Sequence, residues 1–264
     1  MIADCHLHTE FSTDSTTKME TQIQQAICLG MKHMCITDHM DFDFPGGEFS
    51  FDTDAYVPQV LELREKYKNQ IYVALGVELG LQYHLKERIN TYLKQYPFDF
   101  AIGSMHLLHG EDPYHGAIFE RMEDEEAYRE YFRETHRVLQ QCPDVDTFGH
   151  LDYVVRYGKT KAQNYSYQKF ADEIDAILKV LIEKDIALEV NTAGFKTLGF
   201  TNPHPDIIKR YRELGGEMIT IGSDGHVPEY LGHRFGDVKT LLKDCGLKYY
   251  TIFKQRKATF ELIL

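Results

Sequence analysis

The sequence predicts a single α/β domain folded as a barrel of about seven β/α units. Three observations carry this. Short β-rich apolar runs alternate along the chain with stretches of 3.6-residue hydrophobic period, the pattern of parallel strands joined by helical crossovers. Neither a G-x-G-x-x-G nor a G-x-x-x-x-G-K-[ST] loop follows the first strand, which weakens the alternative of an open nucleotide-binding sheet. The chain has 264 residues, 43% hydrophobic and 27% charged, with no linker or low-complexity segment. Residues 1–264 therefore read as one domain with a substantial core.

The strands are expected at 1–5, 33–37, 71–77, 99–104, 145–149, 186–190 and 218–222, with a weaker apolar run at 249–253 that is either an eighth strand or an edge element. Between them, Ile23, Ala26 and Ile27 precede Gly30, a suitable residue just past a helix end. Val57, Val60, Leu61 and Tyr67 follow Asp52-Thr53-Asp54, a cap-rich start. Tyr128, Phe132, Thr135 and Leu139 share a face behind an acidic first turn at 123–126, which suits the helix dipole. Phe170, Ile174, Ile177, Leu178 and Leu181 form the clearest stripe, with Ser166 as a candidate cap. Ile207, Ile208, Tyr211 and Leu214 run to Gly215, and Val238, Leu241 and Leu242 run to Gly246.

Charge narrows the function. Lys plus Arg number 29 against 41 Asp plus Glu, a net charge of −12. Such a chain repels polyanions, so a nucleic-acid groove and an anionic membrane surface are disfavoured as partners. No apolar stretch is long enough to span a bilayer. Residues 1–6 have neither the basic nor the apolar region of a signal peptide. The five cysteines form no C-x-x-C pair, which fits a reduced, cytoplasmic protein.

Where the 13 histidines fall decides the reading. His6 and His8 end the first predicted strand, Asp38-His39 the second and Glu78 the third. His106 follows the fourth, in Gly103-Ser104-Met105-His106. His150 ends the fifth, Asn191 the sixth, and Asp224 and His226 the seventh. In a parallel barrel all strand C-termini open on one face, so six histidines and two acids converge there. His6 and His8, two apart on an extended segment, point the same way, as do Asp224 and His226. Imidazole suits Zn, Fe and Mn, and a carboxylate such as Glu78 can bridge two ions. The set exceeds what one tetrahedral ion needs, so two or three divalent ions are expected. Singly, each residue has an ordinary explanation: a hydrogen-bonded core histidine, a surface acid, a turn residue at Asp224-Gly225. Recurrence at strand end after strand end is what those explanations lack. His109 and His115 lie in the loop after His106 and are candidates for the pocket wall. His33, His84 and His136 read as solvated or strand-edge residues.

The ordered set His6-Leu7-His8, Thr37-Asp38-His39, Glu78, His106, His150 and Asp224-Gly225-His226 resembles the polymerase and histidinol phosphatase (PHP) superfamily. The likeness runs from residue 2 to about residue 235. It implies a distorted (β/α)7 barrel with a trinuclear metal centre. By that resemblance His6, His8, Glu78 and Asp224 hold one ion, and Glu78, His106 and His150 a second. His39 and His226 hold the third, with Asp14 where some relatives carry a histidine. That departure leaves Asp14 as ligand, acid/base group or cap before Ser15-Thr16. Within the superfamily, Asp4-Cys5-His6-Leu7-His8-Thr9, Gly103-Ser104-Met105-His106, Gly149-His150-Leu151-Asp152 with Arg156-Tyr157, and Glu189-Val190-Asn191-Thr192 resemble the histidinol-phosphate phosphatase branch.

The resemblance implies hydrolysis of L-histidinol phosphate to L-histidinol and phosphate, a step of histidine biosynthesis. Metal-activated hydroxide would attack phosphorus, and Arg156 would bind phosphate oxygens. Asp14 or His39 would give the leaving alkoxide its proton. The alternative for Arg156 is a surface ion pair with an acid such as Asp152. Acids at the mouth would recognise the amine and imidazole, and Glu111, Asp112, Glu48 and Asp43 lie in suitable loops. Residues 42–49, rich in Phe, read as a pocket wall or lid, the alternative being an ordinary packed loop. Three other functions fit the same ligand set: a nucleotide or oligonucleotide phosphodiesterase, a phosphotyrosine phosphatase, and a metal-binding protein without turnover.

Overall fold

Seven parallel staves surround the core in a computed structural model that describes residues 3–263. The helices are α1 Met19–Cys28, α2 Thr53–Tyr67, α3 Lys86–Gln95, α4 Ala117–Arg121, α5 Asp124–Gln140, α6 Ala171–Glu183, α7 Gly194–Thr197, α8 Pro205–Glu213 and α9 Phe235–Asp244. The strands are β1 His33–Ile36, β2 His39–Met40, β3 Tyr72–Gly80, β4 Phe100–Ser104, β5 Thr147–Phe148, β6 Ala187–Asn191, β7 Ile219–Gly222, β8 Tyr249–Lys254 and β9 Lys257–Leu262. Sheet order is β1-β3-β4-β5-β6-β7, with β2 also on β3. β1 and β2 are thus one stave broken at Thr37-Asp38, both halves in parallel register with β3 (His33 opposite Tyr72, His39 opposite Glu78).

The first stave closes the barrel. Cys35 N–H donates to the Asp4 carbonyl at 2.9 Å or less and Thr37 N–H to that of Leu7, while Cys5 N–H donates to the Ile221 carbonyl and Asp224 N–H to that of His6. Residues 4–8 therefore pair with β1 on one side and β7 on the other, through parallel bridges Asp4–Met34 and Leu7–Gly225. The strand expected at 1–5 begins outside the described residues, and what is described of it is this short paired segment. The buried Asp4 carboxylate pins the seam, accepting from the N–H groups of Ser223 and Gly232, both at 2.9 Å.

The expected stripes pack inward: Tyr128, Phe132, Thr135 and Leu139 on α5, and Ile174, Ile177, Leu178 and Leu181 on α6, are all buried. The Asp52 carboxylate caps α2, accepting from Asp54 and Ala55 N–H. Gly30, Gly215 and Gly246 follow α1, α8 and α9 with positive φ. Two expectations need correction, and one helix was not expected. Leu61 faces outward on α2. Ser166 makes no cap bond, because a 3-10 turn, Tyr167–Phe170, intervenes before α6. The helix α3 was not foreseen: its buried face consists of only Ile89, Tyr92 and Leu93 on an otherwise polar segment.

The run at 249–253 is no eighth stave. It forms an antiparallel hairpin with β9, outside the barrel sheet. The hairpin turn covers the end at which the strands begin: Arg256 N–H donates to the Asp99 carbonyl at 2.9 Å, and Arg256 Nε to Asp146 Oδ2 at 2.5 Å. Asp99 and Asp146 stand just before β4 and β5, so the opposite mouth is left for chemistry.

At the hairpin end lies His33, which is buried and stacked on Tyr72 rather than solvated. Burial and the nearby Lys254 charge lower its pKa to about 4. Its folded-state value lies below the unfolded one of about 6.5, so the unfolded chain takes up the proton first as pH falls. The contribution is complete above about pH 6.5 and is lost progressively toward pH 4. A His33→Phe variant should therefore gain on wild type by about 2–3 kcal/mol between those limits, read by urea unfolding at a series of pH values. A pH-independent difference between the two proteins would contradict this.

Candidate metal centre and active site

Strand geometry delivers the ligands. His6 and His8 lie two apart on the first stave, and their Nε2 atoms stand 3.1 Å from each other. Glu78, opposite His39 in the β2–β3 register, projects into the barrel as a fully buried carboxylate. It sits inside β3, which runs three residues further than expected, not at its end. Its two oxygens face different imidazole sets. Oε2 is 3.1 Å from His6 Nε2, 3.5 Å from His8 Nε2 and 3.0 Å from His39 Nδ1. Oε1 is 3.2 Å from His106 Nε2 and 3.0 Å from His150 Nε2, and accepts from Ser104 Oγ at 2.7 Å. Asp224 Oδ1 is 3.4 Å from His8 Nε2 and 3.6 Å from His226 Nδ1. Asp14 Oδ2 is 3.0 Å from His226 Nε2 and 3.9 Å from His39 Nε2.

All nine candidate ligands thus meet at one mouth. Within them, His6, His8 and Asp224 form one compact donor group, Glu78, His106 and His150 a second, and His8, His39 and His226 a third. Asp14 lies beside the third group, next to His226. Glu78 Oε2, His39 Nδ1 and His226 Nε2 are buried and lie 3.0 Å from an imidazole or carboxylate atom, but in no well-aligned hydrogen bond. Lone pairs that converge on one another without well-formed hydrogen bonds are costly unless cations take them. The donor set therefore fits divalent metal ions. The charges are strongly coupled: burial pushes the Glu78 carboxyl up, but His6, His39 and His106 outweigh it and hold it well below the usual range.

Outer partners fix the ring orientations. His6 Nδ1 meets Glu189 Oε1 at 2.6 Å, His8 Nδ1 meets Ser12 Oγ at 3.0 Å, and His106 Nδ1 meets Asp41 Oδ2 at 2.5 Å. Asp38 does not enter the ligand set. Its carboxylate accepts from Thr9 N–H, Thr9 Oγ1 and Ser12 Oγ at 2.6–2.7 Å and so holds the loop after the first stave. Sequence reasoning missed Asp41 and Glu189 as orienting groups. The signal was present, since Asp41 lies two residues past His39 and Glu189 two before Asn191, the spacing that singles out His6 and His8.

A cavity of about 300 Å³ opens over this cluster, lined by Asp14, His39, His106, His150, Asp224 and His226 on its floor. Phe44 and Phe49 form part of its wall, as expected of the 42–49 loop. Arg156 lies in the wall, not on the surface. It donates through Nε to Asn202 Oδ1 at 2.7 Å, through Nη2 to Asn191 Oδ1 at 3.2 Å and through Nη1 to Asp224 Oδ2 at 3.3 Å. Its acid is Asp224. Asp152 instead accepts from Asn202 Nδ2 at 2.6 Å and so orients the amide that holds Arg156. His109 and His115 stay outside the cavity: His109 pairs with Glu134, and His115 packs against Tyr114. Of the four loop acids, Asp43 pairs with His84 and Arg88, Glu111 with Arg121, and Glu48 is exposed. Only Asp112 lines the cavity.

Residues 4–193 match the family model described as PHP domain. The chain belongs to the PHP domain family. Along nearly its whole length this PHP domain chain is similar to curated relatives: it is 35% identical to a probable histidinol-phosphatase of Clostridium acetobutylicum, over 94% of this chain and 95% of the relative. It is 32% identical to the histidinol-phosphatase of Lactococcus lactis, over 96% and 95%. Among solved structures it superposes with a TM-score of 0.91 and 32% identity, over 98% of both chains, on the Lactococcus lactis histidinol phosphate phosphatase complexed with zinc, L-histidinol and phosphate. The PHP barrel with one ligand-rich mouth is thus the architecture of this chain. Among its described residues, no helix is long and apolar enough to cross a membrane.

Proposed function

We propose that this chain is a metal-dependent phosphatase that hydrolyses L-histidinol phosphate to L-histidinol and phosphate. The observation that carries the reading is the full-length likeness to a phosphatase described with zinc, L-histidinol and phosphate, combined with an intact set of ligand-type residues at the barrel mouth. We assign His6, His8, Glu78 and Asp224 to one ion, Glu78, His106 and His150 to a second, and His39 and His226 with Asp14 to a third. The buried atoms of Glu78, His39 and His226 that make no well-aligned hydrogen bond support that assignment. Zinc, manganese and iron all suit these donors.

Divalent ions bound there supply positive charge for phosphate oxygens and lower the pKa of water so that a hydroxide nucleophile exists at neutral pH. The chain's own groups do the rest. Arg156, held on three sides by Asp224, Asn191 and Asn202, presents its guanidinium to the phosphoryl group and offsets charge as it builds. Glu189, Ser12 and Asp41 keep the imidazoles in fixed orientation, so little reorganisation is needed during reaction. Asp14 lines the cavity with a side chain 43% exposed, between His226 and solvent. We assign the proton for the departing alkoxide to whichever of Asp14 and His39 the third ion leaves free. The aromatic wall encloses a small ester rather than a polymer, which favours a phosphate monoester substrate.

The test compares L-histidinol phosphate, phosphotyrosine and a dinucleotide as substrates of the zinc- or manganese-loaded protein. The expected result is a kcat/KM for L-histidinol phosphate more than tenfold above either competitor, abolished by exhaustive chelation and restored by adding the metal back. Equal rates on all three, or activity indifferent to chelation, would contradict the proposal.

A further inference from the structure

We infer that Asp112 is the residue that selects phosphate esters carrying a cationic amine, taking that cation at the stretch of cavity wall it lines. The inference rests on the phosphatase reading above and deepens it. Every other acid lining the cavity already has a cationic or imidazole partner: Asp14 has His226, Asp41 has His106, and Asp224 has Arg156 and His8. Asp112 has no Lys, Arg or His within ion-pair distance among the described residues. It is nevertheless half-buried in a wall it shares with Tyr114, Tyr153 and Tyr157. A partly desolvated carboxylate without a partner is unfavourable on its own, and a substrate cation relieves it.

The local backbone holds it in place. Asp112 Oδ1 accepts from Tyr114 N–H at 2.9 Å as the cap of the 3-10 turn Pro113–His115. That leaves Oδ2 for a ligand. The preceding turn is closed by reciprocal Leu108–Glu111 backbone bonds at 2.9 and 3.0 Å, and Glu111 is tied to Arg121. Asp112 is therefore presented on a braced loop. Tyr114, 66% exposed and edge-on to Tyr157, adds an aromatic face beside it. The floor of the cavity attracts the anionic end of a substrate and the Asp112 wall attracts a cationic end, so the site as a whole matches a zwitterionic phosphate ester and not a neutral or purely anionic alcohol.

The experiment uses the metal-loaded full chain and two substrates with the same phosphoryl group, L-histidinol phosphate and p-nitrophenyl phosphate, which lacks the amine. The readout is the ratio of their kcat/KM values. In Asp112→Asn, which keeps an oxygen for Tyr114 N–H but loses the charge, the ratio should fall about 10–100-fold, and Asp112→Glu should recover part of it. A ratio within twofold of wild type in Asp112→Asn would overturn the inference. Should that variant misfold, the ratio is read in Asp112→Ser with the same two outcomes. Wild-type protein that hydrolyses p-nitrophenyl phosphate but not L-histidinol phosphate would overturn the L-histidinol phosphate reading itself, a result distinct from an unaltered ratio.

Discussion

A Glu78→Gln variant is expected to lose about a thousandfold or more in kcat/KM on L-histidinol phosphate, ~4 kcal/mol of transition-state stabilisation, and to bind less metal than wild type. The size of the effect follows from position. One carboxylate faces two separate imidazole sets through its two oxygens, and both sets lose their shared anion together. Glutamine conserves shape and one acceptor oxygen, so the change isolates charge and the second donor. Elemental analysis and single-substrate kinetics on the purified variant check the prediction. Near-wild-type turnover with full metal would remove Glu78 from the centre.

Arg156→Met should leave metal content intact and weaken inhibition by inorganic phosphate about 10–100-fold, with a comparable loss in kcat/KM. Methionine keeps much of the stem's volume but removes the planar donor fork. Burial works against the Arg156 charge, and the Asp224 carboxylate outweighs it, so the guanidinium stays protonated throughout the working range. Its partners Asn191 and Asn202 come from different parts of the chain, and Asn202 is itself oriented by the buried Asp152. The guanidinium is thus held ready before substrate arrives, and its removal costs binding rather than folding of the metal centre. An unaltered inhibition constant for phosphate would take Arg156 out of the site.

Much of this was legible in the sequence because β/α barrels place strand ends on one face. His6, His8, His39, His106, His150, Asp224 and His226 could be assembled without contacts, since each stands at or just past a predicted strand end. Glu78 was assembled on the same logic, although β3 continues through it to Gly80. The seven-stave count was also readable, but not how the ring closes, because the first stave is held by hydrogen bonds to β1 and β7 over only a few residues. The hairpin β8–β9 was hidden because an apolar run of five residues has the same pattern in a barrel stave and in a lid over its far end. Helix α3 was hidden by polarity, with three inward positions among ten. The acid beside Arg156 is not the neighbouring Asp152 of the surface-pair alternative but Asp224, from the far end of the chain. Tertiary pairings of that kind leave no local pattern. Asp41 and Glu189 did leave one, the two-residue spacing beside a histidine and an asparagine, and it went unused.

The pocket wall follows the same division. The Phe-rich loop at 42–49 was recognisable by composition, and Phe44 and Phe49 do reach the cavity. Which of the four loop acids faces inward was not recognisable, because Asp43 and Glu111 are neutralised by Arg88 and Arg121 through contacts 45 and 10 residues apart in sequence.

The most direct test of the whole account is the metal stoichiometry of the purified, metal-reconstituted chain, measured by elemental mass spectrometry after removal of free ions. Two to three divalent ions per chain are expected, released together with activity on chelation. Fewer than one ion per chain in a protein that is folded and active would contradict it.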